Sequence, residues 1–173
     1  MAEYTLTLQI DDNGDELEIT VAGEVAAAGL PPNQNDQRTR RGVAGKKHAI
    51  KDEKKNRHNS SHVHPDVIGP HLPLYLVNHN GAHNDNVVFQ CAFAFVVAVS
   101  LDPGFDPPPG GARAPLNPFG WAVPQTGGPG APINGRINKA GFPGGASRMD
   151  FYKITVWCNG KTLDPDLICE TGP

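Results

Sequence analysis

The longest apolar run of the chain is VVFQCAFAFVVAVSL, residues 87–101. Large side chains alternate along this run with small or polar ones, which is typical of a β-strand because successive residues of a strand point to opposite faces of the sheet. One predicted face carries Phe89, Cys91, Phe93, Phe95, Val97 and Val99, and the other carries Gln90, Ala92, Ala94, Val96 and Ala98. Since both faces are largely apolar, we predict one central strand that is covered on both sides or that leaves one face for another subunit.

The composition also favours strands over helices. The chain has 20 Gly and 17 Pro among its 173 residues, more than one fifth, which indicates many turns and little helix. A chain of this length is of single-domain size and can bury a core without disulfides or a structural metal. We therefore predict one mainly β domain over residues 1–173, an antiparallel β-sandwich of the Ig-like or jelly-roll-like kind.

Period-two alternation predicts further strands on both sides of the central run. Residues 3–22 alternate on either side of Asn13-Gly14, which predicts a hairpin with a type I′ turn. Asn159-Gly160 predicts a second turn of this type, and Pro165 interrupts the strand that follows it. Because proline has no N–H to donate, we expect that last strand to lie at an edge or to contain a bulge. The other predicted strands are residues 74–77, 133–137, 151–157 and 163–169.

Two stretches of the sequence have no strand periodicity. Residues 26–70 form a long polar insertion or loop, basic and rich in histidine, and residues 102–131 form a loop rich in Pro and Gly. A loop as long as the first is rare in a compact domain unless it is functional or disordered. In the second loop we expect Phe105, Phe119 and Trp121 to be the anchors on the sheet.

Charge is unevenly distributed along the chain. Residues 38–57 hold nine basic and two acidic residues, a net charge of +7, whereas the rest of the chain holds six basic and sixteen acidic residues, a net charge of −10. The basic segment is a mobile solvated loop, a contact for an acidic surface of this or a neighbouring copy, or a binding site for nucleic acid or another polyanion. It lacks the aromatics of a single-strand platform. The candidate interaction residues are Arg38, Arg40, Arg41, Lys46, Lys47, Lys54 and Lys55.

All seven histidines fall between residues 48 and 83. His62 and His64 form an H-x-H pair, which on an extended segment places two imidazoles on the same side, as many metal sites require. The third ligand would be His71, His79, His83 or Asp66. The predicted metal set is His62, His64 and His71, and its cofactor would be a divalent transition metal. The alternative is a group of solvated loop histidines, with one or two of them in a polar core.

Motifs of the common enzyme classes are absent from the sequence. It has no Gly-x-Ser-x-Gly elbow, no HExxH, and no Gly-rich loop followed by Lys and Ser or Thr. The odd number of cysteines without a Cys-x-x-Cys spacing predicts that Cys91, Cys158 and Cys169 are reduced, buried thiols.

The same sequence predicts a cytoplasmic protein. Met1 leads directly into an alternating segment rather than into an apolar leader, so we expect no secretory signal. Residues 87–101 are shorter than the roughly 20 apolar residues that span a bilayer. We therefore expect no membrane contact.

The C-terminal part of the chain carries a resemblance to a known family. FYKITV, residues 151–156, followed by GKTLDPDLI, residues 160–168, resembles the closing hairpin of small bacterial β-sandwich proteins of the inclusion-body family that includes AidA and PixA. The resemblance implies a sandwich and a cytoplasmic protein that accumulates or assembles. It covers this hairpin alone and carries over no functional residue.

Three functions are compatible with these patterns. We favour a non-enzymatic binding or self-assembling protein that forms homo-oligomers or binds another protein, because this explains the charge division, the two-faced strand and the missing catalytic motifs together. The first alternative is a metal-binding protein or metal-dependent enzyme that uses the cluster between His58 and His83. The second is nucleic-acid or polyanion binding through residues 38–57.

Overall fold

The structure is a computed structural model that describes residues 2–26, 68, 73–79, 83–102, 112–145 and 148–172. In these residues the chain forms ten strands and one short 3₁₀ helix, Lys139–Gly141, so the prediction of a mainly β protein with little helix is confirmed. The strands are β1 Ala2–Asp12, β2 Leu17–Ala26, β3 Leu74–His79, β4 His83–Cys91, β5 Phe95–Leu101, β6 Gln125–Gly127, β7 Ile133–Arg136, β8 Arg148–Cys158, β9 Lys161–Leu163 and β10 Asp166–Gly172.

The strands belong to one mixed sheet with the order β2-β1-β4-β3-β10-β8-β5-β6, in which β7 pairs with β4 and β9 pairs with β8. The predicted antiparallel arrangement is wrong for two pairs, because β1 runs parallel to β4 and β3 runs parallel to β10. In each pair a long segment of chain separates the partners, which lets the second strand return in the same direction; a tight hairpin forces the opposite one. No helix in the described residues is long and apolar enough to cross a membrane.

Both predicted hairpins form, but only one has the predicted turn. Asn159 and Gly160 have φ angles of 51° and 72° between the paired residues Cys158 and Lys161, as a type I′ turn requires. In the first hairpin, pairing ends at Asp12 and Leu17, which leaves a four-residue loop. The side chain of Asn13 accepts hydrogen bonds there from the backbone N–H groups of residues 15 and 16, at 3.1 and 2.9 Å. This side-chain contact stabilises the wider turn.

The predicted single strand over residues 87–101 is wrong. The run forms two strands, β4 and β5, which are separated in the sheet by β3, β10 and β8, and the chain turns a corner at residues 92–94. Phe93, expected on the buried face, lies at this corner with 48% of its surface exposed. The alternation continues unbroken across the corner, so periodicity does not reveal it. The other large side chains of the predicted inner face are buried: Phe89, Cys91, Phe95, Val97 and Val99.

The last strand is neither at an edge nor bulged, contrary to the prediction made from Pro165. β10 lies between β3 and β8. The residues before and after the proline keep one register along β8, because Leu163 pairs with Val156 and Asp166 pairs with Lys153. The N–H of Ile154 donates to the carbonyl of Pro165 at 2.9 Å, and only the bond that the proline cannot donate is lost from this rung.

Both halves of the sheet contribute to the main buried core, and a second, smaller cluster of Tyr75, Val77, Phe151 and Ile168 lies on the other face of β3, β10 and β8. β4 pairs with β3 over residues 83–84 and then continues along β7 over residues 86–89, so the half that contains β1, β2, β4 and β7 diverges here from the half that contains β3, β10, β8 and β5. The largest fully buried side chains come from both halves. They are Tyr152, Phe89, Leu6, Leu8, Ile10, Ile19, Leu74, Leu76, Ile154, Leu167 and Ile168.

The two long irregular stretches are described to different extents. In the second, Phe119 is buried and its ring lies 4.8 Å from that of the half-buried Trp121, as expected for anchors, whereas Phe105 lies outside the described residues. The short strand β6 also falls within the predicted loop 102–131. Of the predicted insertion 26–70, the structure describes Ala26 and Ile68, and the N–H of Ile68 donates to the carbonyl of Ile19 at 2.9 Å.

Candidate interaction surface

The site residues predicted from the sequence lie outside the described part of the chain. They are the metal candidates His62, His64 and His71 and the interaction candidates Arg38, Arg40, Arg41, Lys46, Lys47, Lys54 and Lys55. The metal and polyanion hypotheses therefore stay predictions. Among the residues that the structure does describe, no group of three or more His, Cys, Asp or Glu could hold a metal ion.

The β1–β2 hairpin ends in a concentration of carboxylates, which we call the acidic tip. It consists of Asp11, Asp12, Asp15, Glu16 and Glu18. The alternation of the strands directs Asp11 and Glu18 to the face opposite the buried Ile10 and Ile19, while Asp15 and Glu16 lie in the turn; residues 11, 15 and 16 are exposed. Apart from Asp12, no member of the tip forms a salt bridge in the described part of the structure. Within the described residues, the tip therefore presents four carboxylates without a salt bridge.

Asp12 anchors the acidic tip to the turn between β8 and β9. Its carboxylate accepts hydrogen bonds from Lys161 Nζ at 2.6 Å, from Asn159 Nδ2 at 3.0 Å and from the N–H of Gly14 at 2.9 Å. The Lys161 ammonium first, and then the two other donors, lower the pKa of Asp12 to about 2. Asp12 is thus ionised at neutral pH, and the hairpin end is held against the other half of the sheet.

A second exposed feature is a row of side chains on the outer face of β6, β5, β8 and β9, which we call the Trp157 row. Strand register places Thr126, Val96, Trp157 and Thr162 side by side across these four strands. Trp157 is 42% exposed, although tryptophan is usually largely buried. The alternation of the sequence already predicts that Trp157 lies on the face opposite Ile154 and Val156. Which residues of the other strands lie beside it is known only from the register of the strands. The row is an uncharged, partly apolar patch.

A hydrogen-bonded group of polar side chains lies on the outer face of β3 and β10. The hydroxyl of Tyr75 donates to one oxygen of the Glu170 carboxylate, and His79 Nε2 lies 2.9 Å from the other oxygen. His79 was one of the residues considered as a third metal ligand, and the structure instead places it on Glu170. Because both carboxylate oxygens are occupied and Tyr75 is buried, this arrangement stabilises the pairing of β3 with β10.

A buried carboxylate marks the point at which the two halves of the sheet diverge. Asp85 is fully buried on β4, opposite Val77 on β3. Its Oδ2 accepts the N–H of Val77 at 2.7 Å, in place of the backbone carbonyl that would accept it in a continued ladder. Next to it, Nδ2 of the buried Asn78 donates to the carbonyl of Ile137 at 3.2 Å. Sequence reasoning missed Asp85, because in the sequence it stands in a polar, turn-rich segment.

The acidic tip and the Trp157 row are therefore two exposed features of the described surface on which a contact could form. The resemblance of residues 151–168 to the AidA and PixA family stays a prediction. The chain matches no protein-family model, no curated protein sequence and no solved structure.

Proposed function

We propose that the protein is a non-enzymatic, cytoplasmic binding protein that assembles with copies of itself, and that the acidic tip of one copy contacts the basic segment, residues 38–57, of the next. The acidic tip is the observation that supports this proposal. Four of its carboxylates have no salt bridge in the described residues, while nine of the 15 basic residues of the chain fall in one segment. Patches of opposite charge accelerate encounter and select the partner.

Charge alone does not supply a stable contact. Exposed ion pairs contribute about 0–1 kcal/mol each and are screened by salt. Interfaces usually bury an aromatic anchor within a polar rim, and Trp157 among threonines offers such an anchor on the described surface. The acidic tip would therefore determine the specificity and the rate of association, and the Trp157 row would supply the apolar surface that is buried in the contact.

The proposed contact joins two different patches, and this determines the kind of assembly. Two unlike patches can pair twice in a two-fold dimer or once in a heterologous contact. We propose the heterologous contact, which leaves a pair of copies with one free acidic tip and one free basic segment. Such contacts close into rings or continue as filaments, depending on the rotation between neighbours. We therefore expect a range of masses, or one large ring, rather than a dimer.

We also infer that the two halves of the sheet are the layers of a β-sandwich. Leu8 of β1 and Ile154 of β8 are both fully buried in the same core cluster, and Cys91 of β4 lies against Cys158 of β8. The Trp157 row then remains available on the outer face of β5, β8 and β9 for contacts with other copies, whereas the outer face of β3 and β10 is buried at Tyr75, Val77 and Ile168.

Size-exclusion chromatography with light scattering tests the assembly. We expect masses well above the 18.4 kDa of one chain at about 50 mM NaCl and a shift toward the monomer at about 500 mM, because salt shortens the range of electrostatic attraction. The double substitution Glu16→Gln with Glu18→Gln should reduce the assembly at low salt. Wild-type protein that stays monomeric at low salt and high concentration would contradict the proposal.

A matched control separates the position of the charge from its amount. Ala112→Lys with Leu116→Lys changes the net charge by the same +2 at two exposed positions. The carbonyl of residue 112 accepts from Arg148, the first residue of β8, and the carbonyl of Leu116 accepts the N–H of Leu101, whereas the acidic tip contacts the turn after the last residue of β8. This control should assemble as wild type does. If both variants lose assembly equally, net charge rather than the acidic tip governs it, and the proposed contact is wrong.

A further inference from the structure

Two of the three cysteines meet across the core. Cys91 is the last residue of β4 and Cys158 is the last residue of β8, and these strands belong to different halves of the sheet. Their Sγ atoms are 3.8 Å apart, and the two residues are 6% and 3% exposed. The prediction of reduced, buried thiols is confirmed for all three cysteines, but the sequence did not indicate that two of them are neighbours.

The backbone around this pair permits a closer approach. A disulfide requires an S–S distance of about 2.0 Å, so the sulfurs would have to approach by about 1.8 Å. Each cysteine is followed at once by a turn, residues 92–94 after Cys91 and Asn159-Gly160 after Cys158. Cys158 is paired on both sides, with Phe95 and Lys161, whereas the described partner of Cys91 is Ile10 of β1, so Cys91 is the residue expected to shift.

Contacts already hold the same two strand ends together. Cys91 pairs with Ile10 of β1, two residues before Asp12. Asp12 in turn binds Asn159 and Lys161, which directly follow Cys158 in the chain. The contact of Asp12 with the β8–β9 turn therefore keeps the two strand ends, and with them the two thiols, close together in the reduced protein.

We propose that Cys91 and Cys158 form a reversible intramolecular disulfide when the protein meets a low-molecular-weight disulfide such as oxidised glutathione. In the reaction the two S–H bonds break and one S–S bond forms between the cysteines. The two electrons and two protons pass to the oxidant, whose own S–S bond is cleaved to two thiols. The exchange proceeds through a mixed disulfide of one cysteine with half of the oxidant.

Burial makes this exchange slow at neutral pH. The thiolate is the attacking species. Desolvation, and next the neighbouring Cys91, raise the pKa of Cys158 to about 11. The rate of oxidation should therefore rise with pH over about 7–9, since the thiolate fraction grows about tenfold per pH unit below the pKa.

The disulfide would stabilise the folded protein. The cross-link closes a loop between residues 67 apart in sequence, and a loop of this length strongly restricts the unfolded chain. After an allowance for strain in the folded state, we expect the Tm to rise by about 5–10 °C on oxidation. This inference is independent of the proposed self-assembly.

Peptide mapping of the wild-type protein is the decisive test. The reduced protein is equilibrated with mixtures of reduced and oxidised glutathione, quenched in acid, alkylated under denaturing conditions and digested. We expect one linked peptide that joins Cys91 to Cys158 in a protein of monomer mass, with Cys169 alkylated, and we expect dithiothreitol to reverse both the link and the rise in Tm. Alkylation of both Cys91 and Cys158 at the most oxidising ratio would overturn the proposal. So would a link through Cys169 or between chains.

Variants supply a second readout. Cys169 is fully buried on β10 and is the matched control, so Cys169→Ala should keep the linked peptide and the rise in Tm. Cys91→Ala should show no rise in Tm on oxidation. A rise in Tm that persists in Cys91→Ala would assign the effect to another reaction and refute the pair. Because the linked peptide is identified in the wild type, the conclusion does not require that every variant folds.

Discussion

Replacing Asp85 by alanine tests how the two halves of the sheet are joined. The carboxylate is fully buried and accepts the N–H of Val77 at 2.7 Å, at the rung where β4 turns from β3 to β7. Alanine removes the acceptor of this buried N–H. We expect the substitution to destabilise the protein strongly.

The magnitude follows from the two losses. A hydrogen bond to a charged acceptor contributes about 1.5–3 kcal/mol, and a buried donor left without a partner costs about 1–3 kcal/mol, much of which overlaps with the first loss. We therefore expect the free energy of unfolding to fall by about 3 kcal/mol. For a chain of this size, that lowers the Tm by about 6–12 °C.

Urea denaturation of three variants measures this effect. Asp85→Asn keeps an oxygen that can accept the N–H of Val77, so it should lose clearly less stability than Asp85→Ala. Asp164→Ala removes a carboxylate from an exposed position and should change the stability by less than about 0.5 kcal/mol. If the free energy of unfolding of Asp85→Ala is also within about 0.5 kcal/mol of the wild-type value, the hydrogen bond from Val77 to Asp85 does not stabilise the junction between the two halves, and the expectation is refuted.

Three further outcomes are expected. Gly127→Ala should cost about 1–3 kcal/mol in urea denaturation, because its Cβ would lie 2.6 Å from the Phe95 ring and 2.8 Å from the Ala131 carbonyl, whereas Gly144→Ala has nothing within 4 Å and should cost nothing. Since Lys161 lowers the pKa of Asp12 to about 2, the stability due to this pair is fully present above about pH 4 and is lost as the pH falls to about 2. Lys161→Met should flatten that part of the stability–pH curve. Burial raises the pKa of Cys158 to about 11, so its contribution is present below about pH 9 and is lost as the pH rises to about 11, a decline that Cys158→Ala should reduce in reducing buffer.

Local patterns predicted the strands well because the pleat of a strand determines its own periodicity. The opening hairpin, β3, β7 and β8 were all predicted from alternation or short apolar runs, and Asn159-Gly160 was predicted from the positive φ angles that these residues tolerate. Alternation also indicated the buried face of β5, where Val97 and Val99 are buried. These features depend on residues close together in sequence.

The partners of the strands could not be predicted in this way. Phe93 continues the alternation of its neighbours, although the chain crosses there from one half of the sheet to the other. Pro165 suggested an edge, but the gain from pairing β10 on both sides offsets a single lost hydrogen bond. Both outcomes depend on contacts between segments distant in sequence, which periodicity does not encode.

The candidate surface was predictable only in part. The carboxylates of the acidic tip are visible in the sequence as a cluster around a turn, and the opposite charge of residues 38–57 is visible as well. The Trp157 row requires the register of four strands, and the contact of Cys91 with Cys158 requires the packing of the two halves. The sequence thus indicated an uneven distribution of charge, and the structure adds the positions of the charged residues that it describes.

The position of β10 has a consequence for how the protein is made. β10 is synthesised after every other described strand, yet it lies between β3 and β8 and pairs with six residues of β3, which has only two paired residues on β4. While the ribosome is still adding earlier residues, the facing edges of β3 and β8 have unpaired backbone groups and expose apolar side chains. Such edges are prone to pair with other chains, and pairings this distant in sequence form slowly. We therefore expect the nascent chain to be most prone to aggregation before residues 166–172 are available to pair with β3 and β8.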